Sequence, residues 1–128
     1  MRRAIRTPEA SSGNGPYSQG IIAGDFVYVS GQGPLDPQSG GVVGSTIEEQ
    51  TELTLKNIQN ILKAAECTMD DVIKVNVFLA SLKDFDRFNS VYVQFFNQPM
   101  PARTCVEAGL DDILVEIDAI AHLPDKNT

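Results

Sequence analysis

Apolar and polar residues alternate along this chain with two different periods. Val72-Ile73-Lys74-Val75-Asn76-Val77-Phe78-Leu79 is the most strand-like run, and Ala102-Arg103-Thr104-Cys105-Val106 and Val115-Glu116-Ile117-Asp118-Ala119-Ile120-Ala121 roughly alternate. That is the period of a strand with one buried face. Residues 17–23 and 26–30 read as two further strands, joined across Gly24-Asp25 as a hairpin. Residues 3–6 predict a short first strand, and residues 114–122 the last one. Elsewhere the period lengthens. Ile47, Thr51, Leu55, Ile58, Leu62 and Ala65 recur every three or four residues, which predicts an amphipathic helix. Glu48, Glu49, Glu52, Lys56 and Lys63 form its solvated face, and Ser45 with Glu48 suggests a capping box. A second helix is predicted over residues 84–96, with Phe85, Phe88, Val91, Tyr92, Phe95 and Phe96 as its apolar side. Asn97-Gln98-Pro99-Met100-Pro101 breaks it. Residues 124–128 are polar, and a loose tail is expected.

The order is β, β, β, α, β, α, β, β. It predicts an α+β fold: a mixed six-stranded sheet with two helices packed on one face. Residues 1–128 suit a single domain. Val27, Val29, Val75, Val77, Ile117 and Ala119 are accompanied on the same strands by Tyr28, Phe78 and Ile120. Both faces of the sheet are thus rich in apolar residues, which favours covering the second face with another subunit.

Ten Lys and Arg against 17 Asp and Glu give a net charge of −7. Such a chain repels phosphate backbones, so no nucleic-acid partner is expected. No apolar run approaches the length of a membrane span. The basic start, Met1-Arg2-Arg3-Ala4-Ile5-Arg6, is followed by no apolar stretch and does not read as a secretory signal. Cytoplasm is the default expectation, with the mitochondrial matrix as the alternative. Cys67, Cys105 and His122 have no metal-ligand spacing, so no metal is expected, and the two cysteines are expected as reduced thiols.

The chemistry-bearing pattern lies late in the chain. Arg103 and Cys105 are two apart on a strand, so they project together. If the strand bearing Glu116 pairs nearby, a carboxylate joins them. A guanidinium, a thiol and a carboxylate suit binding and chemistry on a small carboxylic acid. A surface arginine, a core cysteine and a solvated glutamate would look the same at this level. Asn89 is either a helix-surface amide or a polar group aimed at a site. The turn after Ser30, Gly31-Gln32-Gly33-Pro34, lets backbone approach a ligand or simply punctuates a loop.

Several motifs occur in order along nearly the whole chain. They are Gly15-Pro16-Tyr17-Ser18-Gln19-Gly20, Val29-Ser30-Gly31-Gln32, Asp36-Pro37 with Ser39-Gly40, Val91-Tyr92 with Phe95-Phe96, Pro101-Ala102-Arg103-Thr104-Cys105-Val106-Glu107 and Val115-Glu116-Ile117-Asp118-Ala119-Ile120-Ala121. In these the chain resembles the Rid/YjgF family of reactive intermediate imine deaminases, also known as the L-PSP family. The resemblance implies a chorismate-mutase-like fold, a homotrimer with a central barrel, and a cleft at each subunit interface. It implies that Arg103 binds a substrate carboxylate, and that Tyr17, Ser30, Gly31, Asn89, Cys105 and Glu116 line the same cleft. The stretches 97–100 and 106–115 are shorter than the family pattern, which bears on substrate range. The first helix ends in Glu66-Cys67 where the pattern has a glycine.

The implied reaction is hydrolysis of 2-aminoacrylate and 2-aminocrotonate, as their imine tautomers, to 2-oxo acids and ammonia. No cofactor is implied, because an iminium carbon is already electrophilic. Arg103 would grip the acid with two parallel bonds. Glu116 would orient or deprotonate water. Cys105 would offer its backbone N–H or thiol, Tyr17 and Ser30 their hydroxyls, and Gly31 room. Asp118 is read as structural and His122 as exposed. Three other readings stand beside this one: an endoribonuclease that inhibits translation, a non-enzymatic module binding 2-oxo acids, and a redox-activated chaperone. Acidity and a single histidine weigh against the first.

Overall fold

The computed structural model describes residues 1–125. Residues 126–128, the end of the tail expected to be loose, lie outside the described residues. Six strands and two helices follow one another as β1 (Arg2–Ile5), β2 (Gly20–Ala23), β3 (Phe26–Gln32), α1 (Ile47–Ala64), β4 (Val72–Leu79), α2 (Phe85–Tyr92), β5 (Ala102–Glu107) and β6 (Val115–His122). The strands form one mixed sheet in the order β1-β2-β3-β6-β4-β5. Only the β4–β5 pair is parallel, and α2 makes its crossover. The expected α+β fold with two helices is therefore the observed one.

The sheet is two-sided. Val27 and Val29 of β3, Val75, Val77 and Leu79 of β4, and Val115, Ile117, Ala119 and Ala121 of β6 are buried. They face α1, whose Leu55, Ile58, Ile61 and Leu62 are at most 1% exposed. Each such side chain contributes roughly 1.5–3 kcal/mol by leaving water. The alternate residues point the other way, onto a face that no helix covers. There Phe26 and Tyr28 are exposed, and Phe78 and Ile120 are half-buried beside Asn76, Glu116 and Asp118.

Local structure departs from the sequence expectation at six points, one being that β3 continues past Ser30 through Gly31 and Gln32, which the sequence places in a turn. The first strand is Arg2–Ile5 rather than residues 3–6, with Arg6 outside the ladder. The second is shorter than expected: residues 17–19 stay out of it because the Gln19 side chain binds the loop before them. The capping box uses Thr46 and Glu49, one residue later than Ser45 and Glu48. The Thr46 Oγ1 accepts the Glu49 N–H, and Glu49 Oε1 accepts the Thr46 N–H in return. The second helix is α-helical only from Phe85 to Tyr92, with 3₁₀ turns at Leu82–Asp84 and Val93–Phe95. Its buried stripe still runs Phe88, Tyr92, Phe96. The last strand begins at Val115, because the Leu114 N–H donates to Gln50 Oε1 instead of the ladder.

Where α1 ends, Glu66 adopts φ 61°, the left-handed conformation that glycine occupies most easily. The Glu66 N–H donates to the Lys63 carbonyl and the Cys67 N–H to the Leu62 carbonyl, closing the helix. Glutamate in that conformation costs roughly 1 kcal/mol relative to glycine. Helix α2 is tied to α1 by an exposed fork, in which Arg87 Nε and Nη2 donate to the two Glu48 oxygens at 2.9 and 2.7 Å. That guanidinium holds the Glu48 carboxyl below its usual range.

Candidate active site

Arg103 sits on β5 opposite Val75 of β4, and Cys105 opposite Val77. Both therefore project on the helix-covered side. Arg103 Nη1 donates to Asn89 Oδ1 at 2.7 Å. Its guanidinium carbon lies 4.8 Å from the centre of the Tyr92 ring, 5.6 Å from Phe85 and 5.8 Å from Phe88. Phe85, Phe88, Asn89 and Tyr92 meet it together because three- and four-residue spacing puts them on one face of α2. Among the described residues Arg103 has no carboxylate partner. Asn89, Tyr92, Val93, Met100, Pro101 and Arg103 line a cavity of about 310 Å³. Burial pushes the Cys105 thiol up, with Arg103 pulling the other way, so Cys105 is a neutral thiol at neutral pH.

Glu116 belongs to the other side. It pairs with Phe78 on β4, and its neighbour Asp118 pairs with Asn76. The β3–β6 ladder slips between Val29 and Gln32. Such an irregularity re-aims the strand, and here it brings Gly31 against Glu116. A Cβ on Gly31 would lie 2.8 Å from Glu116 Oε2. Burial pushes the Glu116 carboxyl up, and the Asp118 charge adds to the shift. Asp118 itself accepts a 2.9 Å bond from Asn76 Nδ2, which fits its reading as structural.

Ser30, next to Gly31, is held to the segment after Tyr17. The Ser30 hydroxyl donates to the Ser18 carbonyl at 2.6 Å, and the Ser30 N–H to the Gln19 carbonyl at 2.9 Å. The Ser30 oxygen is thus a donor to protein before any ligand arrives, although it keeps a free lone pair. Tyr17 follows the turn at Gly13, whose φ is 75°, and its hydroxyl packs on that glycine with no room for a Cβ. Tyr17 is 48% exposed. It shares a cavity of about 300 Å³ with Arg6, Thr7, Pro8, Ser12, Ser18 and Gln19.

The expected residues thus do not gather into one site. Arg103, Asn89 and Cys105 lie on the helix-covered side; Glu116 and Gly31 meet on the other, with Ser30 next in the chain, and Tyr17 lies apart in the cavity it shares with Arg6 and Thr7. The expectation that Glu116 adds its carboxylate beside Arg103 fails within one chain. Strand β4 separates β5 from β6, so the two backbones are about 10 Å apart, and the side chains leave the sheet in opposite directions.

Sequence reasoning missed the residues that hold these groups in position. Gln19 is buried, and its amide nitrogen donates to the carbonyls of Thr7, Ala10 and Ser11, knotting the segment before Tyr17. Gln50 donates to the Gly44 carbonyl and accepts the Leu114 N–H, anchoring the start of the Glu116 strand. Such bonds join residues far apart in sequence and leave no periodic signal. The Arg103 cradle did leave one, the aromatic spacing around Asn89, which reads as core. His122 is exposed, with Phe26 edge-on to its ring at 5.2 Å. Among the described residues no group of three His, Cys, Asp or Glu could hold a metal ion, and no helix is long and apolar enough to cross a membrane.

Comparison with known proteins finds likeness along most of the chain. Residues 7–123 match the family model described as Endoribonuclease L-PSP. A RutC family protein of Pyrococcus horikoshii is 44% identical over 124 residues, 95% of this chain and 98% of that one. The human 2-iminobutanoate/2-iminopropanoate deaminase is 38% identical over 123 residues, 94% of this chain and 90% of that one. The crystal structure of Escherichia coli TdcF with bound serine superposes with a TM-score of 0.89 at 38% identity, covering 95% of this chain and 99% of that one. With the motifs, the topology and these matches in agreement, the chain belongs to the Rid/YjgF/L-PSP family.

Proposed function

We propose that this protein hydrolyses 2-imino acids, the tautomers of 2-aminoacrylate and 2-aminocrotonate, to 2-oxo acids and ammonia. One observation carries the reading. Arg103 is a half-buried permanent cation beside a cavity, with a neutral amide and three aromatic rings around it and no carboxylate among the described residues. A charge held that way is completed by an incoming anion. The names of the relatives point the same way: one is a 2-iminobutanoate/2-iminopropanoate deaminase, and TdcF has been crystallised with serine, a small amino acid.

Arg103 grips the substrate carboxylate with two parallel bonds, while Asn89 and the aromatic rings fix the plane of its guanidinium. Water attacks the iminium carbon. Glu116 takes a proton from that water and returns it to the carbinolamine nitrogen. It then accepts the carbinolamine hydroxyl proton as the C–N bond breaks, the carbonyl forms and ammonia leaves; the proton finally passes to the departing ammonia as ammonium. A carboxylate with a raised pKa is a stronger base for the first step. Gly31 leaves space beside the Glu116 oxygens, Tyr17 and Ser30 supply hydroxyl oxygens near the nitrogen, and Cys105 offers backbone N–H or thiol. Because Arg103 and Glu116 leave opposite faces of the sheet, each complete site takes them from two chains. A homotrimer with interfacial sites satisfies this and covers the open face carrying Tyr28, Phe78 and Ile120.

The direct test generates an imine with an amino-acid oxidase and traps it with semicarbazide. Less semicarbazone with the protein present supports deamination. Equal semicarbazone with and without it, across several amino acids, rejects it.

Two substitutions probe the Glu116 group. Gly31→Ala puts a methyl 2.8 Å from Glu116 Oε2 at a φ that alanine tolerates, so the carboxylate must move. Turnover is expected to fall about tenfold, with circular dichroism unchanged. Wild-type turnover on Gly31→Ala would detach Glu116 from the chemistry. Glu116→Gln should abolish turnover while keeping 2-oxo acid binding; a binding module would show no turnover to lose. The same change reads out on stability. Glu116 has its pKa raised by folding, so its contribution is present below the unfolded pKa and lost as pH rises through the raised one. At pH 7 the ionised glutamate therefore destabilises, and Glu116→Gln should melt higher than wild type, with the gain vanishing in acid. Equal melting temperatures at pH 7 would remove the burial argument.

A further inference from the structure

Tyr92 is 4% exposed, and its hydroxyl oxygen has no hydrogen-bond partner among the described residues. Its ring is stacked between Phe88 and Phe96, at 5.5 and 4.7 Å. Phenylalanine would fill that stack equally well without leaving a buried hydroxyl unmet, which is destabilising. The hydroxyl therefore does nothing for the fold that the ring does not do alone. Yet the same ring is the one closest to the Arg103 guanidinium, and Tyr92 lines the Arg103 cavity together with Asn89, Val93, Met100 and Pro101.

We propose that Tyr92 is a carboxylate-binding residue of this site, its O–H donating to the same acid group that Arg103 grips. The inference rests on the carboxylate reading of Arg103. Burial pushes the Tyr92 hydroxyl up to about 12, with Arg103 opposing, so at neutral pH it is a protonated donor. The hydroxyl is closed off from bulk water, and it gains its partner when the ring tips toward an anion held by Arg103. A hydroxyl beside a guanidinium also favours a carboxylate over a neutral amide or alcohol, because both groups donate and only an anion meets the charge. Tyr92 thus extends the clamp from one residue to two, and ties substrate choice to a free acid group.

The test compares wild type, Tyr92→Phe and Arg103→Ala, using 2-oxobutanoate as the calorimetric probe. Imine kinetics and thermal melting accompany it. Tyr92→Phe keeps the ring against Arg103 and removes one oxygen. It should weaken 2-oxobutanoate binding about tenfold, as for a lost bond to a charged acceptor. The loss should fall on KM more than on kcat, and the melting temperature should hold or rise. Binding equal to wild type overturns the inference, and so does weaker binding accompanied by a lower melting temperature, which marks a packing role. The two levels separate cleanly. If Arg103→Ala loses binding and Tyr92→Phe does not, Tyr92 falls alone; if Arg103→Ala binds as wild type does, the carboxylate reading falls with it.

Discussion

Arg103→Ala is expected to lower kcat/KM for 2-imino acids by about a thousandfold while leaving the fold intact. The magnitude follows from what the side chain does. Removing one partner of a desolvated, bidentate charge pair costs roughly 4 kcal/mol, which is about three powers of ten in rate. The cost should appear in kcat as well as KM, because a substrate that is not held flat presents its C=N bond to water in many orientations. Arg103→Lys is the sharper variant. It keeps the charge and loses the fork, and an ammonium cannot span the Asn89 Oδ1 and a ligand carboxylate in one plane. A loss of about a hundredfold is expected for it. The fold should survive both changes, since Arg103 makes no ion pair among the described residues and lies on the edge strand. The semicarbazide competition assay with circular dichroism checks both statements. Alanine turnover within tenfold of wild type would show that the cation is not the acid's anchor.

The second large effect is a recovery. Chains carrying Arg103→Ala and chains carrying Glu116→Ala should each be inactive alone. Unfolded together in equal amounts and refolded, they should regain about a quarter of wild-type activity. Each site would draw its arginine from one chain and its glutamate from another, so a random mixture completes about one site in four. The expectation follows from β4 lying between β5 and β6, with Arg103 opposite Val75 on one face and Glu116 opposite Phe78 on the other. Mixing the folded variants without unfolding is the control for exchange. No activity after co-refolding, with both variants shown to co-assemble, would mean that one chain builds its own site and that the separation by the sheet is bridged in some other way.

The same geometry explains what the sequence could and could not disclose. Alternation along Val72–Leu79 and Val115–His122 is a local property, and it correctly divides each strand into buried and open residues. It also makes Arg103 and Cys105 neighbours on one face. Which face that is depends on the strand order, and β4 inserting between β5 and β6 is a long-range pairing that no local period encodes. A cleft shared by Arg103 and Glu116 is thus an expectation that comes from resemblance, and spacing along one chain does not encode it. The capping box slipped for a smaller reason. Ser45 and Thr46 are adjacent hydroxyls, each three residues before a glutamate, and only the backbone angles at Thr46, φ −109° and ψ 158°, decide between them. The 3₁₀ turns around α2 escaped because the apolar stripe continues through them, so periodicity sees one helix where the hydrogen bonds define three segments.

The uncovered sheet face has a bearing on solubility. A freshly made chain presents Phe26 and Tyr28 there, with Phe78 and Ile120 half-buried next to them. Such a surface invites pairing with whatever apolar segment comes first. Glu116 and Asp118 sit among these side chains, two residues apart on one strand, and Lys74 and Asn76 lie beside them on β4. Charges set within a sticky face act as gatekeepers against indiscriminate association. Drift toward a fully apolar face would trap nascent chains in aggregates, and drift toward a fully polar one would leave nothing to bring the right surfaces together. The composition of this face is therefore constrained from both directions, by how the chain survives its first moments in the cell as much as by what it later does.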